Sequence, residues 1–164
     1  ADYKRITFSK LRVLQHLMAT ENYDYFLYMD TDIWLEHDPL PELIDQLNQH
    51  PTVDLFMQCD AFENDQCTNY CTGFMLLKRT KVIKDLLAYS SNLNVLTLSG
   101  DQAYVNRYIR SHHIEVVTLN MTKFSNGLYL DAIPPDYLLL HYNYLIGDAK
   151  QIKMQEHGHW LLEK

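Results

Sequence analysis

The sequence predicts a single α/β domain with a mixed sheet, and three observations carry that prediction. Short, continuously apolar runs at Phe26–Met29, Val53–Gln58 and Gly73–Leu77 read as strands covered on both faces. Between and after them lie amphipathic stretches of helical spacing, so strands and helices alternate along the chain. Two acids, Asp30 and Asp32, stand immediately beyond the first run, where an open α/β sheet binds its ligands.

Taken in order, Ser9–Thr20 is expected to be a helix capped by Ser9, with Leu11, Leu14, Leu17 and Met18 as one apolar stripe and Glu21-Asn22 as its end. It leads into the strand Phe26–Met29. Pro39 and Pro41 suit a first helical turn, and Leu40, Leu43, Ile44 and Leu47 carry a second amphipathic helix closed by His50-Pro51. Val53–Gln58 is a short buried strand and Asp60–Tyr70 reads as a polar loop. The strand Gly73–Leu77 is followed by a helix over Thr80–Tyr89, apolar at Val82, Ile83, Leu86 and Leu87. A helix over Asp101–Ile109 opens with Gly100-Asp101-Gln102, and Glu115–Leu119 is a strand. Lys123–Asp131 is loop-like, Tyr137–His141 is a strand, and the tail His141–Trp160 mixes Gly, Lys and His.

With 164 residues, 47% of them hydrophobic, the chain is long enough for one domain with a sizeable core. The net charge of −7 argues against a nucleic-acid or anionic-membrane surface, which needs a basic field. No apolar run approaches the roughly 18–20 residues of a membrane span and no signal peptide is legible, so any anchor is expected outside this chain. Cys59, Cys67 and Cys71 are too few for a disulfide framework and lack zinc-site spacing, so they read as buried or bystander thiols. Asn120-Met121-Thr122 is a glycosylation acceptor triplet, meaningful only in a secreted chain. The compartment, cytosol or Golgi lumen, stays open.

By strand alternation Asp30 and Asp32 lie on the same side of the chain, and two such carboxylates suit a hard divalent cation held against a phosphate. An EF-hand loop beginning at Asp30 is rejected, because Trp34 and Leu35 fall where an oxygen ligand and a glycine are needed. A phosphatase with Asp30 as nucleophile shares the strand context, and a plain loop or cap role is the bland alternative.

The order TFSKLRVLQ, YMDTDIW, CTGFMLLK, SGDQAYVN, KFSNG and HYNYLIGDAK resembles the nucleotide-diphospho-sugar transferase family, which includes plant cell-wall xylosyl and arabinosyl transferases. The resemblance spans nearly the whole chain. It implies a GT-A (Rossmann-like) fold with a central mixed, mostly parallel sheet flanked by helices. It further implies that Asp30, Asp32 and a carboxyl-terminal histidine, matched by His141, hold Mn²⁺ or Mg²⁺ against the donor diphosphate. Asn143, Gly147 and Lys150 match the segment that wraps the diphosphate, with Lys150 as its point charge; Lys153 is assigned to the solvated face of the last helix. His157, His159 and Trp160 are expected to pack on this segment.

The same resemblance places Lys10 near the donor sugar and Asp30, and Asp101 and Gln102 beside the sugar as the catalytic candidates, Asp101 also being able to cap its helix. Cys71, Thr72 and Gly73 match a donor-binding segment in which relatives carry asparagine where this chain has Cys71, which puts donor preference in doubt. Asn126 falls in a loop on the acceptor side. Fold members begin with a strand and loop for the nucleotide base, whereas this sequence starts at Ala1, so it is expected to be a single GT-A domain over residues 1–164 lacking the base-binding portion, or to hold the base by other means. The implied function is metal-dependent transfer of a sugar from a nucleoside diphosphate, UDP by family default, to a hydroxyl on a glycan or other acceptor, with retention. The alternative of another class is a non-catalytic nucleotide-sugar or carbohydrate-binding module.

Overall fold

The computed structural model describes residues 2–88 and 100–162. Helix α1 (Asp2–Thr20) precedes strand β1 (Tyr25–Met29), the short β2 (Ile33–Leu35) and helix α2 (Leu40–Gln49). Strands β3 (Leu55–Glu63) and β4 (Gln66–Lys78) form a long hairpin, followed by α3 (Lys81–Leu87) and α4 (Asp101–Ser111). The last third holds β5 (Val117–Thr118), β6 (Phe124–Ser125), a 3₁₀ turn at Gly127–Tyr129, β7 (Leu139–His141) and α5 (Gly147–Glu156).

The main sheet has the order β1-β4-β3-β5; β1, β3 and β5 run the same way and β4 runs against them. A mixed sheet with most strands co-directional is therefore present. Alternation sends its side chains to two cores. Leu55, Met57, Met75 and Leu77 pack with Phe8, Leu11, Leu14 and Met18 of α1, Ile83, Leu86 and Leu87 of α3, and Val105 and Ile109 of α4. Phe56, Phe74 and Leu76 face the other way, onto Leu43 of α2 and onto Leu119, Phe124 and Leu139. A second sheet, β2-β7-β6, carries the carboxyl-terminal part of the chain back to the end of β1.

Several boundaries depart from the sequence reading, each for a physical reason. The first helix begins at Asp2, and Ser9 lies inside it with its hydroxyl bonded to the Ile6 carbonyl, so Ser9 is no cap. The supposed polar loop 60–70 is a β-hairpin: Asn64 and Asp65 both adopt positive φ, the two-residue turn that matches strand twist. Its polarity marks exposure of the hairpin arm. Cys59 and Cys67 are joined by a disulfide across that hairpin, which overturns their reading as free thiols; Cys71 alone is free, and it is buried. The helix expected over 80–89 is described as Lys81–Leu87 with Thr80 as N-cap; Tyr89 lies outside the described residues.

Candidate functional site

Two registers assemble the site. The Asp30 amide bonds the Gly73 carbonyl at 2.7 Å, prolonging the β1–β4 ladder to the first aspartate. In the second sheet Ile33 pairs with His141, and the Tyr142 amide bonds the Asp32 carbonyl at 3.0 Å, which sets the histidine beside the second aspartate. Asp30, Asp32 and His141 thereby offer three ligand atoms within 4.8 Å of one another.

The histidine is held in one tautomer. Gln58, fully buried, donates its amide hydrogens to the carbonyls of Phe124 and Ser125, both at 3.0 Å, so its Oε1 must face the imidazole. At 3.1 Å from that oxygen, His141 Nδ1 carries a proton, which leaves Nε2 as the nitrogen facing the aspartates. Nε2 then stands 3.2 Å from Asp32 Oδ1. With Nδ1 committed to Gln58, Nε2 is the nitrogen able to ligate a cation shared with the aspartates, and it donates to Asp32 when the ring is protonated. Two carboxylates and one imidazole nitrogen suit Mn²⁺ or Mg²⁺ by chemistry, so the residues fit the implied metal. Gly73 makes room: a Cβ there would lie 2.1 Å from His141 Cε1 and 2.8 Å from Asp30 Oδ2.

Two lysines flank the acids. Lys10 Nζ, with its side chain 11% exposed, is 3.0 Å from Asp30 Oδ1 and 3.3 Å from Asp101 Oδ2, and it donates to the Thr72 carbonyl. Burial works against its charge, but Asp101 and Asp30 outweigh it and hold its pKa above the ordinary lysine value. Tyr28 donates to Asp30 at 2.6 Å. Lys150, on the first turns of α5, pairs with Asp32 Oδ2. Burial opposes ionisation of Asp32, yet His141 and Lys150 hold its carboxyl well below the usual carboxylate range.

A cavity of about 450 Å³ opens beside this cluster, lined by Lys10, Asp30, Asp32, Asp101, Gln102 and Lys150 among others. Cys71, Thr72, Gly73, His141 and Asn143 also reach its wall. Asp101 occupies the first position of α4 after Gly100, which takes φ +148; Gly100, and not Asp101, is the cap residue. Thr72 donates to Asp101 at 2.7 Å. Cys71 lies 3.7 Å from both His141 Nδ1 and Asn143 Nδ2, and burial pushes its thiol up, so it stays neutral.

Two of the expected site residues do not line this cavity. Asn126, expected on the acceptor side, is fully buried and does not line this cavity, donating to Cys59 O and Asp60 and accepting from the Leu128 amide. Gly147 does not line the cavity; it starts α5 with a φ of +54, and a Cβ added there would meet nothing within 4 Å. Lys153 bonds Asp131 and Glu156 at the surface. His157 and His159 both face the Tyr142 hydroxyl, and Trp34 stacks on His159. Sequence reading missed Gln58 and Asp60, although an acid two residues beyond the buried run Val53–Gln58 approaches the pattern that singled out Asp30.

The fold and this site define a glycosyltransferase of the GT-A type. The chain belongs to the nucleotide-diphospho-sugar transferase family, whose model matches residues 1–155. Among solved structures it is similar to a glycosyltransferase involved in the glycosylation of the major capsid of PBCV-1, with a TM-score of 0.66 and 12% identity over 93% of this chain and 77% of that one. It is also similar to mouse xyloside xylosyltransferase 1 in its apo form, with a TM-score of 0.54 and 15% identity over 85% of this chain and 64% of that one. A search of curated proteins gives no match. No described helix is long and apolar enough to cross a membrane.

Proposed function

We propose that the protein transfers a sugar from a nucleoside diphosphate donor, UDP first among the candidates, to a hydroxyl acceptor with retention of configuration, and that it needs Mn²⁺ or Mg²⁺ to do so. The observation that carries this reading is the grouping of Asp30, Asp32 and His141, with ligand atoms within 4.8 Å of one another, in the wall of a cavity also lined by Lys10, Lys150, Asp101 and Gln102. When bound, the divalent ion supplies charge stabilisation for a diphosphate leaving group. Lys150 adds a positive charge on the same side, preset by its pair with Asp32. Lys10 gathers Asp30 and Asp101 around one ammonium and fixes both carboxylates before substrate arrives. Asp101 and Gln102 line the same cavity as the aspartates, which supports a role for them beside the donor sugar. Among the described residues no carboxylate paired with a base stands out as a dedicated proton acceptor for the incoming hydroxyl, and the leaving phosphate is its natural destination.

The test is calorimetric titration with UDP, with and without Mn²⁺, followed by donor turnover over a panel of UDP-sugars. Manganese-dependent UDP binding with release of UDP from one donor supports transfer. Binding with no turnover on any donor or acceptor supports the binding-module reading, and absence of UDP binding overturns the nucleotide assignment.

A further inference from the structure

Asp60 stands at the point in β3 where the pairing skips a residue between Cys59↔Tyr70 and Ala61↔Asn69. Its carboxylate gathers three side-chain amides from three separate segments. Asn143 Nδ2 lies 2.8 Å and Asn126 Nδ2 2.9 Å from Oδ1, and Gln102 Nε2 lies 3.0 Å from Oδ2. The Tyr144 hydroxyl adds a bond of 2.7 Å to the Asp60 carbonyl.

These three amides are not equally anchored. Asn143 also accepts from the Gly127 amide, and Asn126 is fixed by Cys59 O and the Leu128 amide, so each has its orientation set twice. The Gln102 side chain has Asp60 as its one partner among the described residues. A carboxylate only accepts hydrogen bonds, so the end of Gln102 facing Asp60 must be the NH₂ and the other end must be the carbonyl oxygen. Gln102 lines the cavity beside Asp101.

We propose that Asp60 is a positioning residue that locks Gln102 with its carbonyl oxygen toward the donor sugar. The inference rests on the transferase reading above and deepens it. It assigns the Gln102 carbonyl oxygen the role of an acceptor: its partner on the donor is a sugar hydroxyl or the positive charge that develops at the anomeric carbon. Asparagine at position 60 would present either an NH₂ or a carbonyl and would leave Gln102 free to turn over.

The experiment is a double-mutant cycle of Asp60→Asn and Gln102→Ala on the best UDP-sugar of the panel, with Mn²⁺-dependent UDP affinity and thermal stability measured alongside. Asp60→Asn is expected to lose about ten- to hundredfold in kcat with little change in KM or in UDP affinity. The double variant is expected to be no slower than Gln102→Ala alone, since both act through one side chain. Full turnover in Asp60→Asn overturns the proposal, as does a loss that multiplies onto that of Gln102→Ala or that follows a general loss of stability and UDP binding. A readout without ligand is the solvent exchange of the Gln102 side-chain amide protons by nitrogen-15 NMR, slow in the wild type and several-fold faster in Asp60→Asn; equal exchange overturns the lock. Should Asp60→Asn not fold, Gln102→Glu carries the test: a carboxyl facing Asp60 needs a proton to stay, so its turnover relative to wild type falls as pH rises, and a pH-independent ratio overturns the proposal. A wild type that binds no UDP with Mn²⁺ fails the transferase reading itself, whereas UDP binding with an unaffected Asp60→Asn fails only the lock.

Discussion

Gln58 and His141, 83 positions apart, meet at 3.1 Å, and the glutamine decides which imidazole nitrogen faces the aspartates. Its NH₂ is committed to two backbone carbonyls, so only its oxygen is left for the ring. Gln58→Leu removes the acceptor for Nδ1–H and frees the ring to adopt the other tautomer. Support of this kind is worth roughly 10–100-fold in metal affinity. We expect a Mn²⁺ affinity lower by about that factor in calorimetry, and about 1–3 kcal/mol lower stability from the two stranded carbonyls. Unchanged Mn²⁺ affinity would remove Gln58 from the site.

Gly73 leaves no room for a side chain beside the cluster. Any Cβ there would meet the His141 ring and an Asp30 oxygen far inside contact distance, and neither neighbour is a free flexible end. Gly73→Ala is expected to cost about 1–3 kcal/mol of stability from overpacking and to weaken Mn²⁺ binding more than tenfold as the histidine is pushed aside. Denaturant unfolding and metal titration read the two effects separately; a variant with wild-type metal affinity would show that His141 is not a ligand.

Much of this was legible in the chain. The strand before Asp30-Thr31-Asp32 shows itself as an apolar run ending in acids, and His141 follows its own apolar run, so both halves of the cluster carry local signals. What was not legible is long-range or polar-on-polar. The Asn64-Asp65 turn looks like loop composition because an exposed hairpin arm is polar on both faces. The Cys59–Cys67 bridge depends on that hairpin, so misreading one hid the other. Gln58 and Asp60 act through partners 42 to 83 positions distant, and spacing along the sequence cannot reveal such pairs.

Lys10 joins Asp30 and Asp101, side chains that come from different elements and share one ammonium. Lys10→Met leaves two carboxylates facing each other with no cation, and breaking a buried pair in this way costs about 3–5 kcal/mol. Adding Asp101→Asn should return a measurable part of that loss. Chemical denaturation of the single and double variants gives the coupling, and additive losses would show that the three groups do not act as a unit.

The disulfide closes a short loop, with a sequence separation of 8, at the hairpin that bears Asp60. Loop-closure entropy for that length gives about 2–3 kcal/mol. Cys59→Ser/Cys67→Ser is expected to unfold at correspondingly lower denaturant. Free Cys71 is buried, so a thiol reagent should label the native oxidised protein only slowly, and rapid stoichiometric labelling would contradict the buried position.

The tail carries a pH dependence whose sign follows from its packing. His157 Nδ1 and His159 Nδ1 each lie 2.7 Å from the Tyr142 hydroxyl, which can donate to one ring and accept from the other while both stay neutral. Burial lowers the pKa of both, reinforced at His157 by Lys153 and at His159 by His157, while Glu36, Glu156 and Asp131 oppose it. The unfolded chain therefore takes up protons at a pH where the folded one resists them. The resulting stability is fully present above about pH 6.5, the unfolded value, and is lost as pH falls through the lower folded values. Thermal unfolding between pH 7.5 and about 5 should show a falling midpoint that flattens in His157→Gln/His159→Gln. Trp34, stacked on His159 with ring centroids 4.5 Å apart, should report the same step in its fluorescence. A double variant with the wild-type slope would place the acid sensitivity elsewhere.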